Sequence, residues 1–322
     1  MATRKRIYPA ELSKIRTYPI RERKNKVRAE DFASPTLPGC SVKELIDSMP
    51  NILAGRNFRQ LVADIAAAYA NEKSVIAMIG GHVIKCGLSP VLISLMEHGV
   101  LTGIAMNGAA SIHDFEIALI GETSEDVGVN IADGRFGMWE ETGKLMNEAI
   151  KSVSSQTGES LGMGEALGQK LIDLNAPHSD ISILASGVRL KIPVTVHVAI
   201  GTDIIHQHPE ADGSAIGETS YTDFRIFVSE VADLDGGVLI NFGSAVMLPE
   251  VFLKALSIVR NLGHDVAEFT TANFDMIQHY RPNENIVKRP TNIRGRGYSI
   301  TGHHEIMIPL LASAIVTAIS QT

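Results

Sequence analysis

The chain has 322 residues, 45% of them hydrophobic and 20% charged, with a net charge of −7, which is enough apolar material for one large core or two ordinary ones. No run of 18 uncharged apolar residues occurs and the start MATRKRIYPAEL has no apolar stretch, so neither a membrane span nor a secretory leader is expected. Two cysteines, Cys40 and Cys86, with no CxxC pattern, are too few for a disulfide framework and point to a reducing, cytoplasmic setting with buried or half-buried thiols.

Charge is uneven. Residues 1–30 hold ten Lys/Arg and three Asp/Glu, a balance of +7, so the remaining residues carry −14. An acidic body argues against a nucleic-acid partner. Residues 1–40, broken by Pro9, Pro19, Pro35 and Pro38, read as a basic extended arm. The arm could touch nucleic acid, but lying on its own or a neighbouring acidic body is the simpler reading. Residues 41–322 read as a single α/β domain.

Helical patterning restarts at Ser41–Ile46, and Phe58, Leu61, Val62, Ile65 and Ala66 have amphipathic helical spacing. Five short, almost wholly apolar runs follow, as strands buried on both faces of a sheet would. They centre on Val75–Ile79, Leu101–Met106, a strand opened by Pro193, Val238–Asn241, and a last one ending at Thr270-Thr271. Between them, helices are expected over Ser89–His98, from a cap at Ser111 with Asp114 three residues on, over Gly137–Val153 and Glu159–Leu174 with a polar exposed linker (154–160), from a cap at Asp180 to Leu190, over Thr222–Val231, and over Leu248–Asn261, where Pro249 suits the first turn. Gly128–Gly137 and residues 275–302 read as loops, and a helix over His304–Ser320 closes the chain. The alternation predicts a Rossmann-like α/β fold, a mainly parallel sheet with helices on both faces.

Such sheets bind ligands at the carboxyl ends of their strands, which singles out five places. Gly80-Gly81-His82 with Lys85 is either a close backbone approach to a phosphate or a turn that needs Gly. Asn107-Gly108 is a ribose or phosphate contact or an ordinary strand–helix turn. Asp203, His206 and His208 are polar site residues or, less in keeping with their spacing, metal ligands; His197 reads as a core histidine. Gly243-Ser244 repeats the Gly-at-strand-end pattern. Thr271-Ala272 precede a basic stretch with Arg281, Lys288, Arg289, Arg294 and Arg296, which holds an anion or pairs with the acidic body. Glu305 is explained by its place at a helix start. No zinc motif, nucleophile elbow or GxxxxGK[ST] is present.

In order, IGGHVIKCG, VLTGIAMNGAASIHDFEIAL, IPVTVHVAIGTD, TTANFD, RPNENIVK and IMIPLLASAIV resemble the pieces of deoxyhypusine synthase over most of residues 60–320. The resemblance implies a homotetramer of Rossmann-like subunits that oxidises a polyamine with NAD and passes an aminobutyl group through its own lysine, at sites between subunits. Carried onto this chain it makes Lys288 the carrier and His303 or His206 a proton relay. It places Gly81, His82, Lys85, Asn107, Gly108, Asp203, Gly243, Ser244, Thr271 and Ala272 around the cofactor, with no metal. Ile112 and His113 stand where the family has two adjacent Glu, Asn241-Phe242-Gly243-Ser244 replaces its glycine run, and Lys288 reaches the family's Ser-Trp-Gly-Lys only across a two-residue gap. The same fold serving a metal or small anion, or a non-catalytic oligomer, are the alternatives.

Overall fold

The computed structural model describes residues 5–154 and 161–320; most of the expected polar linker lies outside them. Six strands, β1 (Val75–Ile79), β2 (Gly103–Asn107), β3 (Val194–His197), β4 (Val238–Phe242), β5 (Thr270–Asp275) and β6 (Arg296–Thr301), form one sheet in the order β3-β2-β1-β4-β5-β6. Every pairing is parallel. The helices are α1 (Val42–Ser48), α2 (Leu53–Ala70), α3 (Gly81–Lys85), α4 (Ser89–Glu97), α5 (Gly108–Ile120), α6 (Val127–Asn130), α7 (Glu140–Val153), α8 (Met163–Asp173), α9 (Ile183–Leu190), α10 (Gly213–Ala232), α11 (Met247–Asn261), the single turn α12 (Tyr280–Pro282) and α13 (His304–Ile319).

Strand alternation sorts the core onto two faces. Val75, Ala77 and Ile79 pack with α2, α4, α5 and α13 residues such as Leu61, Leu92, Phe115 and Leu311. Ile76 and Met78 pack with Phe227 of α10 and Leu248 and Phe252 of α11. His197 belongs to this interior, edge-on to Phe227 and bonded to Thr195, and burial holds its imidazole down at about 3.

The structure corrects five local expectations. Gly128–Gly137 is not a plain loop: it holds most of α6 and a 3-10 turn at Ile131–Asp133. The span 275–302 is not one loop: it holds α12, a π-helical turn at Asn283–Lys288 and strand β6. Thr270 opens β5 instead of ending it, so Thr271 and Ala272 are buried inside the sheet. The α5 cap is Asn107, whose side chain accepts from Ala110 N. Asp114 points elsewhere, accepting from Ser182 Oγ and from Ile183 and Leu184 N. Ser182, not Asp180, caps α9.

The outer edge of β3 is closed by side chains, not by another strand. Val196 N donates to Asp223 Oδ2 at 2.7 Å, Ser220 Oγ bridges Val198 N and Val196 O, and Gly164 lies so close to Val194 O that a Cβ there would sit 1.7 Å from it. Two turns further along α10, both oxygens of Glu230 are buried without a partner against Gly103, where a Cβ would meet Oε1 at 1.6 Å. Burial, with Asp223 adding repulsion, pushes the Glu230 carboxyl up to about 8. The folded chain therefore holds a proton that the unfolded chain releases at its ordinary value of 4.5, and this group costs stability progressively as pH rises between those two values. Glu230→Gln is expected to raise the melting temperature by several degrees at pH 8 and to leave it nearly unchanged at pH 4; calorimetric scans at the two pH values check the difference.

Candidate functional site at the carboxyl edge of the sheet

The strand order reverses between β1 and β4, and there the chain closes on itself tightly. Gly80 N donates to Phe242 O, and a Cβ on Gly80 would stand 3.1 Å from Gly243 O. Gly243 has φ +69° and would bring a Cβ to 2.5 Å from His304 Nε2, so a left-handed turn without a side chain is what admits the first residue of α13. Beneath it Asn241 Nδ2 donates to Ser244 O and to Asn273 Oδ1, and Ser244 Oγ accepts from Leu248 N in the first turn of α11. The ends of β4 and β5 are thus tied together and to the starts of α11 and α13.

Two polar groups line this edge. On one side, His304 is buried with Nδ1 unpartnered, and desolvation lowers its pKa while Asp275 opposes the shift. Its ring lies 5.8 Å from that of His82. His82 Nε2 is 3.4 Å from Cys86 Sγ, which also reaches Glu305 Oε2 at 3.8 Å; burial and the Glu305 charge push the thiol up. On the other side, Asp203 covers the start of α5: a Cβ on Gly108 would lie 2.0 Å from Asp203 Oδ2. Asp203 Oδ2 and His206 Nε2 are 4.0 Å apart and both unpartnered. Burial raises the Asp203 carboxyl to about 6 and lowers His206. Between the two groups, Gly81 packs on Ala109 and His113. His113 Nδ1 is 2.7 Å from Thr123 Oγ1, which donates in turn to Glu116.

Gly81, His82, Lys85, Asn107, Gly108, Asp203, His206, Gly243, Ser244 and His303 therefore share one edge. Thr271 and Ala272 do not reach it, since Thr271 Oγ1 donates to Ile286 O from the second position of β5. Lys288 does not reach it either. It is exposed, ion-paired to Glu284 at 2.7 Å, and follows Val287, whose carbonyl faces Gly297 at the second position of β6, by the amino ends of the strands. His304, Cys86 and His113 enter the site through contacts between distant segments, which no local motif announces. Among the described residues no group of three or more His, Cys, Asp and Glu is placed to hold a metal ion, and no helix is long and apolar enough to cross a membrane.

Neither a protein-family model nor a curated protein sequence matches the chain. Solved structures do. AgrE in a ternary complex with ornithine and NAD+ superposes with a TM-score of 0.54 at 13% identity, over 83% of this chain and 34% of AgrE, so the chain spans about a third of that protein. A candidate LOR/SDH protein from Methanococcus maripaludis S2 gives 0.50 at 15% identity over 81% of this chain and 69% of that one. A candidate deoxyhypusine synthase from Entamoeba histolytica gives 0.52 at 14% identity over 87% and 94%. The shared feature is the fold, the Rossmann-like arrangement of the deoxyhypusine synthase type.

Replacing Gly243 by Ala should cost about 1–3 kcal/mol through overpacking, because the methyl meets His304 in addition to the unfavourable φ. Gly263 has φ +93° with nothing within 4 Å, so Gly263→Ala isolates the backbone part. Equal losses in denaturant titrations of the two variants would show that the His304 contact has no weight.

Proposed function

We propose that the chain binds a nicotinamide dinucleotide along the carboxyl edge of the sheet and serves an NAD-dependent reaction of a small amine. The observation that carries this is the strand order 3-2-1-4-5-6 with its reversal between β1 and β4, the place where sheets of this order take dinucleotides. The residues fit such a ligand in a particular way. Asp203 Oδ2, His206 Nε2 and His304 Nδ1 are buried acceptors or donors without partners, suited to ribose hydroxyls and a carboxamide. The amino termini of α11 and α13 open on the same edge and favour the pyrophosphate charge. The faces of Gly108 and Gly243 are filled by Asp203 and His304, so helix starts rather than a glycine cradle would hold the phosphates. When bound, the nicotinamide ring supplies a hydride acceptor. AgrE, of the same fold, has been captured with NAD+ and ornithine, which supports the pairing of cofactor and amine.

Titration calorimetry with NAD tests this. Micromolar binding is expected, strengthening as pH rises through about 6, where Asp203 loses its proton and becomes the better acceptor. Asp203→Asn should weaken binding by about tenfold, the worth of a hydrogen bond to a charged group, and flatten the pH dependence. Absence of binding at millimolar NAD by a folded chain overturns the reading.

The finer reading is a polyamine donor with Lys288 as covalent carrier, and it rests on the resemblance to deoxyhypusine synthase. With Lys288 at the amino ends of β5 and β6, it further requires a homotetramer in which this lysine serves a neighbouring subunit's site. Borohydride added to chain, NAD and spermidine should then trap an adduct that Lys288→Ala abolishes while the melting curve is unchanged. An adduct that persists in the variant removes Lys288 from the reaction.

A further inference from the structure

A second surface carries its own argument. Beside α5 and α7 lies a cavity of about 650 Å3 whose lining includes Glu116, Glu122, Glu125, Glu141, Trp139 and Leu145. Its lining includes the exposed Ile120 and Trp139, and the segment between Glu125 and Trp139 adds Val127, Val129, Ile131 and Met138, each about half exposed or more. Residues 116–141 contain seven Asp/Glu and one Arg, and that Arg135 is already paired with Asp133 at 2.7 Å. A face both this acidic and this apolar is unusual for a solvated surface and marks an interaction site.

The amino-terminal segment has the opposite charge and the same mixture. Residues 5–30 are exposed at every position. Ile7, Tyr8, Leu12, Ile15, Tyr18 and Ile20 are all 63–94% exposed, interleaved with the basic residues that give residues 1–30 their +7. The segment's polar contacts are short-range, such as Ser13 with Glu11, Arg23 with Asn25, and Arg28 with Glu30. Among the described residues its backbone bonds to the body begin at Asp31 and Ser34, which bond to Asn51 and Ser48. Extended, some two dozen residues reach roughly 80–90 Å, well beyond the molecule that carries them.

We propose that the basic arm of one copy docks on the acidic, tryptophan-bearing cavity of a second copy, its apolar side chains covering the rim and its Lys/Arg facing the glutamates. Opposite fields of this kind steer encounter and set register, and an arm ordered on contact loses conformational entropy only then. The docked arm would lie over Thr123 and Glu116, one hydrogen-bonded step from His113 and Gly81 at the carboxyl edge. Arm exchange would therefore border the site of the second copy.

Carbodiimide cross-linking of 14N- and 15N-labelled full-length chain, mixed equally in denaturant and refolded together so that the copies are randomised, tests the proposal, read by mass spectrometry. Links from Lys14, Lys24 or Lys26 to Glu122 or Glu141 are expected, with mixed-label links as abundant as same-label ones. Their yield should fall severalfold in Arg16→Glu/Arg21→Glu/Arg23→Glu, in Trp139→Ala, and at raised ionic strength. The arm variant changes only exposed residues, so its outcome stands even where Trp139→Ala disturbs the cavity. Links confined to one label, meaning an arm folded on its own body, overturn the proposal. So do arm links that go to other acidic residues, or yields that the arm reversal leaves unchanged.

Discussion

The fold turns on the approach of β4's end to β1 and to α13. Gly243 occupies a left-handed turn against which His304 rests, and Gly80 lies against the Gly243 carbonyl. A side chain at 243 would have to displace the His304 ring at the start of the last helix. The switch point is therefore closed by sterics as much as by hydrogen bonds. His304 rests directly on that closure and meets the ring of His82, which contacts Cys86, while Asp203 and His206 stand on the other flank against Gly108. The Asn241–Asn273–Gln278 chain of amides runs under it and fixes β4 to β5 in register.

Four buried acids show how differently one residue type can be housed. Asp114 and Asp223 accept backbone N–H groups, at the start of α9 and at the β3 edge, and burial still raises them to about 6 and about 7. Asp203 keeps a hydrogen bond from Thr202 but has Oδ2 buried without a donor, and Glu230 has both oxygens buried without one. Asp203 sits at the carboxyl edge, where a ligand can satisfy it; Glu230 sits over Gly103 at the opposite end of the sheet. An unpaired buried carboxyl costs free energy in either place, but only the first lies where open sheets do their chemistry.

How much of this was legible in the sequence follows from burial. Strands β1, β2, β3 and β4 are buried at nearly every position, so each appears as an apolar run, and their order with the intervening helices implies a parallel sheet. β6, Arg-Gly-Tyr-Ser-Ile-Thr, is an edge strand with only Ile300 buried, and polar composition hid it in what read as a loop. β5 was misjudged because Thr270, Thr271 and Asn273 are polar yet wholly inside, their side chains answered by Asp64, Ile286 O and Gln278. Strand-end Gly and Asp residues could be picked out because the topology puts all such ends together. The positions of Lys288 and of Asp114 could not, since each depends on a contact, with Glu284 across a π-helical turn or with Ser182, that sequence spacing alone does not select.

The closed edge at β3 has a consequence for growth. A parallel sheet propagates only by offering unused N–H and C=O groups to a newcomer. Here Val196 N and O and, just past the end of β3, Val198 N are already taken by Asp223 and Ser220, and Gly164 lies against Val194 O. On this flank the groups a newcomer strand would pair with at Val194, Val196 and Val198 are largely occupied. Sheet-to-sheet growth is therefore disfavoured on the β3 side, and an assembly there is expected to join helices and loops instead.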